Sequence, residues 1–232
     1  MKCWICDADA TTGEHKIKRS DLADVFGAPT QENRLYLSDS AKKNRPIGSL
    51  KAKALKSPSR ICATCNNART QPHDRAWEQM SEYLRTCQPP IRPSSIVRAN
   101  RIFPYDTKRK MQNVHLYFLK LFGCRIAEGN LPIDLATFAN AILKGTVHPN
   151  VYLKFGCLPS VDGKLMAGQS DIQTVLRTAD GPCAFATWFY EIGGLAVNVM
   201  FSDDEEKRLG LVDAWHPKFG TNRLVISDFP AG

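Results

Sequence analysis

The chain has 232 residues, 43% of them hydrophobic, enough for one large domain or two modest ones whose core needs no disulfide staples. Nearly all of its +8 formal charge lies in residues 1–100, where 17 Lys and Arg face 10 Asp and Glu, a field that suits a polyanion. No apolar run reaches the roughly 18 residues that cross a bilayer, and MKCWICDADATTGEH turns charged before a signal-peptide core can form, so a cytoplasmic protein with no membrane partner is expected.

Cys3 and Cys6 make the first of two CxxC pairs, and Cys62 and Cys65 the second. Two short CxxC turns each supply two soft ligands, the set a tetrahedral structural zinc ion takes. Cys87, Cys124, Cys157 and Cys183 sit among apolar residues and read as small buried hydrophobes. After the first pair, TTGEHKIKRS predicts a turn at Gly13 and then a strand or hairpin arm. SDLADVFG predicts a short helix capped by Ser20 or Asp21 and closed by Gly27. ENRLYLSDS offers a brief strand, and the stretch through Pro58 reads as a long loop. It is markedly basic: Lys42, Lys43, Arg45, Lys51, Lys53, Lys56, Arg60 and Arg69 occur between Asp39 and Asp74 with no acidic residue among them. PHDRAWEQMSEYLRTC then places Ala76, Trp77, Met80, Tyr83, Leu84 and Cys87 at helical spacing, with Pro72 in the first turn.

QPPIRPSS, residues 88–95, predicts a boundary between a unit at 1–90 and another at 96–232. In the second unit KRKMQNVHLYFLKLFG carries an apolar stripe of Met111, Val114, Phe118, Leu121 and Phe122 that Gly123 is expected to end. PIDLATFANAILKG predicts a helix capped by Asp134 and stopped at Gly145. NVYLKF, IQTVLRT, CAFATWFYEI, LAVNVMFS and RLVISDF predict strands, with Gly193 and Gly194 as a hairpin turn. The expected class is α+β, the second unit being two helices packed on an antiparallel sheet. His115, His148 and His216 read as ordinary polar positions.

A zinc ion filled by four thiolates holds a fold and leaves the chemistry to other groups. Closing the two pairs on one ion would bring Glu14 and His15 near Asn66 and His73. A zinc deaminase is excluded, because it needs a His-x-Glu pair and an open zinc position. The order CWIC, GEH, CATCN resembles the HNH nucleases, also called ββα-metal or His-Me finger nucleases, in their zinc-stapled variety, over residues 1–87.

The resemblance implies an N-terminal ββα-metal nuclease module that hydrolyses phosphodiester bonds. His15 would be its general base, and Glu14, Asn66 and His73, with Asp74 as fallback, would be ligands of a catalytic divalent ion, most simply Mg2+. The expected partner is DNA, with RNA left open, contacted by Lys16, Lys18 and the basic stretch. The second unit would dimerise the enzyme, recognise a nucleic-acid structure or gate cleavage. The chain departs from the family in carrying Lys18 where proline is common and in the 46 residues between His15 and Cys62. The alternative is a zinc module that binds nucleic acid without cutting it.

Overall fold

The computed structural model describes residues 2–39, 41–58, 61–158, 165–203, 211, 213–219 and 222–229. The α+β class holds, with the cysteine pairs at the N-terminal end of the fold.

Extended chain at residues 12–16 pairs antiparallel with residues 55–61, through bridges Thr12–Ile61 and His15–Lys56. The Ser57 amide donates to the Glu14 carbonyl at 2.7 Å and the Lys16 amide to that of Leu55 at 2.9 Å. Gly13 is therefore extended rather than a turn. It is glycine because a Cβ there would lie 2.6 Å from the Ser57 carbonyl oxygen. Helix α1, Arg19–Phe26, ends at Gly27 with φ 71°, as expected, but neither Ser20 nor Asp21 caps it. Ser20 donates instead to Glu78, and the buried Asp21 carboxylate accepts from Trp77 Nε1 at 2.7 Å and the Tyr190 hydroxyl at 3.2 Å. The basic stretch is not one loop either. Strand β1, Leu35–Leu37, pairs antiparallel with β2, Arg45–Ile47, and a 3-10 turn, Lys53–Leu55, follows.

Helix α2, Gln71–Thr86, buries His73, Ala76, Trp77, Met80, Ser81 and Leu84 on one face. After β3, Ile96–Arg98, and the short α3, Ala99–Ile102, comes α4, Thr107–Gly129. It runs straight through Gly123 to a left-handed cap at Asn130. The glycine is used for close approach rather than as a stop: a Cβ on it would meet the Trp4 indole at 2.4 Å. Helix α5, Leu135–Lys144, begins at Asp134, whose carboxylate accepts from the Ala136 amide at 2.9 Å, and stops at Gly145 with φ 60°.

The remaining strands are β4, Val151–Cys157, β5, Ala167–Gln169, β6, Gln173–Leu176, β7, Cys183–Ile192, β8, Leu195–Ser202, and β9, Arg223–Asp228. Among the described residues the sheet order is β3-β9-β4-β8-β7-β5, with β6 also on β7. Gly193 and Gly194, both at positive φ, turn β7 into β8. The sheet is antiparallel except that β9 runs parallel to β4.

Helix α4 is buried nearly all round because it lies between α2 and the sheet. Trp77 of α2 stacks on Tyr117 of α4 at 5.6 Å and meets Phe118 edge-on at 4.6 Å, while Tyr190 of β7 stands edge-on to Trp77 at 5.7 Å. One continuous core thus runs from Cys3 to Ile226, across the proline-rich segment. Each of those rings is worth about 3–5 kcal/mol against alanine.

The three histidines of the second half are buried. The His115 imidazole donates from Nε2 to the Val151 carbonyl at 3.0 Å, and its ring stands 5.5 Å from that of His216. Burial, together with the His216 and His148 rings, pulls its pKa down to about 3. The unfolded chain therefore takes up this proton first as pH falls. The stabilisation is complete above the ordinary value of about 6.5 and is lost as pH drops toward 3, at about 1.4 kcal/mol per pH unit. Urea unfolding between pH 7 and 4 should show His115→Leu with a shallower fall in stability than the wild type, by about one proton. Identical slopes would assign the acid sensitivity elsewhere.

Candidate metal centre and adjoining polar site

The Sγ atoms of Cys3, Cys6, Cys62 and Cys65 all lie within 4.8 Å of one another. Those of Cys6 and Cys62 are 3.6 Å apart and those of Cys6 and Cys65 are 3.5 Å apart. A tetrahedral zinc ion with Zn–S bonds of about 2.3 Å spaces its sulfurs about 3.8 Å apart, so the donor set is compatible with zinc. Local hydrogen bonds shape each knuckle: the Asp7 amide donates to the Cys3 carbonyl at 2.9 Å, and the Asn66 amide to the Cys62 carbonyl at 2.9 Å. Arg69 Nη1 donates to Cys65 Sγ at 3.2 Å, placing a cation against a cluster that carries excess negative charge as thiolates.

From Cys65 to Arg69 the chain makes a π-helical turn, and Thr70, at φ −98° and ψ 1°, breaks the path before α2 begins. The eight residues from Asn66 to His73 are thus not one continuous helix. Thr70 repairs the junction, its hydroxyl donating to the Cys65 carbonyl at 2.9 Å and its own carbonyl accepting from the amides of His73 and Asp74.

The predicted site residues fall into two groups. Glu14, His73 and Asp74 gather around Lys120 of α4, a side chain with no solvent exposure. Its ammonium lies 2.9 Å from Asp74 Oδ1, 3.2 Å from Glu14 Oε2 and 3.4 Å from Thr70 Oγ1. Burial opposes the Lys120 charge, but Glu14 and Asp74 outweigh it and hold its pKa above the usual lysine range. Burial pushes the Glu14 carboxyl above its usual range despite Lys120. Burial and then Lys120 pull His73 down to about 4, and its Nδ1 has no hydrogen-bond partner. Lys18 extends the network, 3.7 Å from Asp74 and 3.3 Å from Glu78.

His15 belongs to the other group. Adjacent residues of an extended chain point to opposite faces, and where Glu14 meets Lys120, His15 hydrogen-bonds to the Leu50 backbone. Its Nε2 is buried without a partner. Nδ1 is then the nitrogen that donates to the Leu50 carbonyl, and Nε2 carries an open lone pair. Burial first, then Lys56, Arg19 and Lys18, lower its pKa, so the ring is neutral at pH 7. Asn66 donates its side-chain amide to Thr12 Oγ1 at 3.2 Å, and Thr12 donates on to the Ile61 carbonyl at 2.8 Å.

Of the cations expected to meet nucleic acid, Lys42, Lys43, Lys51 and Lys53 are exposed, and Lys16, Arg45 and Lys56 are half-buried. Lys18 is engaged with carboxylates and Arg69 with a thiolate. Arg60 lies outside the described residues. Sequence reasoning missed Lys120, Thr12 and the Leu50 carbonyl. A lone lysine within YFLKLFG was the available signal, since a charge inside an apolar helical run demands buried partners.

Comparison with protein-family models, with curated proteins and with solved structures found no match for this chain. No helix among the described residues is long and apolar enough to cross a membrane.

Two outcomes are expected. Cobalt titrated into metal-free protein should bind one ion per chain with the intense visible absorption of a tetrahedral thiolate site, and Cys65→Ser should weaken that band and lower the melting temperature; a colourless protein would exclude the centre. Lys120→Met, which strands Glu14 and Asp74 in the interior, should lower unfolding stability by about 3–5 kcal/mol in urea. A loss under 1 kcal/mol would mean those carboxylates are hydrated or protonated.

Proposed function

We propose that this chain is an HNH-type endonuclease that hydrolyses phosphodiester bonds in DNA, with His15 as general base. The observation that carries the reading is the state of His15. One ring nitrogen is tied to the Leu50 carbonyl, the other is an unpartnered acceptor, and the ring is kept neutral by burial and by Lys56, Arg19 and Lys18. An imidazole in that state can accept a proton at neutral pH once a water and substrate reach its buried Nε2, and Lys56 and Arg19, which help keep it neutral, are placed to attract a phosphodiester. The bridges that pair residues 12–16 with Lys56 and Ile61, ahead of the second cysteine knuckle and α2, favour the reading, with α1 and the β1–β2 hairpin inserted between the two paired segments.

Water attacks phosphorus as Nε2 of His15 takes its proton. The charge that builds on the phosphate oxygens is met by Lys16, Lys56 and Arg19, and the 3′ oxygen leaves, taking a proton from solvent water to become the hydroxyl. By analogy with the family, the products carry a 5′ phosphate and a 3′ hydroxyl. The expected magnesium ion does not fit the residues as folded. Glu14, its principal ligand, already has the Lys120 ammonium, itself a full positive charge, at 3.2 Å. The cysteine tetrad is the sole group of three or more close Cys, His or acidic donors among the described residues.

That occupation of Glu14 favours a second reading, a zinc-stabilised nucleic-acid-binding module without catalysis. Nicking of supercoiled plasmid in magnesium-containing buffer separates the two. The wild type should cut, and His15→Ala should cut at least ~100-fold more slowly while binding the same DNA. Cutting that survives the substitution removes His15 as the base; salt-sensitive binding by a wild type that never cuts establishes the second reading.

A further inference from the structure

The segment between α1 and residues 55–61 builds an arm that the catalytic reading does not use. Among the described residues, none from 27 to 49 joins the main core. Its hairpin is ordered locally: the Asp39 carboxylate accepts from the amides of Ala41 and Lys42 and pairs with Arg45, and Asn44 turns the chain at φ 53°. Leu35, Leu37 and Ile47 lie half-buried on one face. On the other face Tyr36 stands opposite Pro46 across the strand pair, and Tyr36 is 56% exposed.

A tyrosine and a proline side by side make a flat apolar platform facing water, and its surroundings say what covers it. Arg34, Lys42 and Lys43 are exposed on the same hairpin, and no acidic residue follows Asp39 until Asp74. A second copy of a chain with net charge +8 is repelled from such a surface, and an apolar peptide leaves the cations unmatched. A nucleobase satisfies both features, since its face stacks on an aromatic ring while its own phosphates meet Lys and Arg. In an intact duplex the base faces are hidden in the stack.

Resting on the nuclease reading, we infer that the Tyr36–Pro46 platform is a stacking site for unpaired bases, and that the chain selects nucleic acid with single-stranded character. The arm also returns to the site. Leu50 and Lys56, which follow the hairpin, are the groups that orient and surround His15. A strand held on the platform is therefore held by the same segment that fixes the base.

The test is fluorescence anisotropy with a labelled 16-nucleotide single strand and the duplex of the same sequence, using the full chain at several salt concentrations. Tyr36→Ala should weaken single-strand binding roughly 5- to 150-fold and duplex binding less than about 2-fold, with an unchanged salt slope because no phosphate contact is lost. Tyr36→Phe should bind as the wild type. Lys42→Ala with Lys43→Ala should instead flatten the salt slope on both substrates. Single-strand affinity untouched by Tyr36→Ala, or lost equally for duplex, overturns the platform. If His15→Ala still abolishes nicking in that event, the nuclease reading stands without it; if nicking survives His15→Ala while Tyr36→Ala discriminates strands, the platform stands and the base assignment fails.

Discussion

Four sulfur atoms set the geometry of the N-terminal half. Residues 3–6 and 62–65 are far apart along the chain, and neither knuckle has a partner of its own. A metal ion held there would convert that separation into a fixed distance, and its binding free energy would become folding free energy for everything the ligands flank. The pairing of 12–16 with 55–61 begins where the knuckles end, and α2 begins one irregular turn beyond the second. Glu14 and His15 are thus presented from a strand whose position is set by the cluster rather than by a hydrophobic face of its own.

The second constraint comes from the opposite side. Lys120 reaches from α4 into the space between Glu14 and Asp74, so the polar site has a floor supplied by the C-terminal half. The same helix contributes Tyr117 and Phe118 to the packing around Trp77, and Asp21 ties α1, α2 and β7 together through Trp77 and Tyr190. An ammonium that cannot leave without exposing two carboxylates makes α4 a component of the site's electrostatics.

Much of this was legible in the residues. The CxxC spacing announced the tetrad, Asp134 and Gly145 bounded α5, and the glycine pair at 193 and 194 marked the β7–β8 hairpin, because each is a local rule of ligand count or backbone conformation. What escaped was long-range. Gly123 carries the sequence signature of a helix stop, yet the Trp4 ring lying on it is 119 residues away and leaves no trace in the local pattern. The β1–β2 hairpin hid because its strands are three residues each, too short for alternation to register. The network around Lys120 hid because its members come from three separate segments, although a lysine in an apolar run marks where partners must converge. Period-two alternation separates the faces of Glu14 and His15, and an adjacent acid–base pair in the sequence conceals that.

The contact between Trp4 and Gly123 has one more implication. The indole sits within the first CxxC, between two metal ligands, and its Nε1 donates to Cys124 Sγ at 3.4 Å. Its emission, one of four tryptophan contributions, would therefore report on the cluster. An ion bound there would hold the ring on bare helix backbone; stripping it would loosen the knuckle, expose the indole and shift the Trp4 share of the fluorescence to the red, through a contact that the absent side chain of Gly123 makes possible.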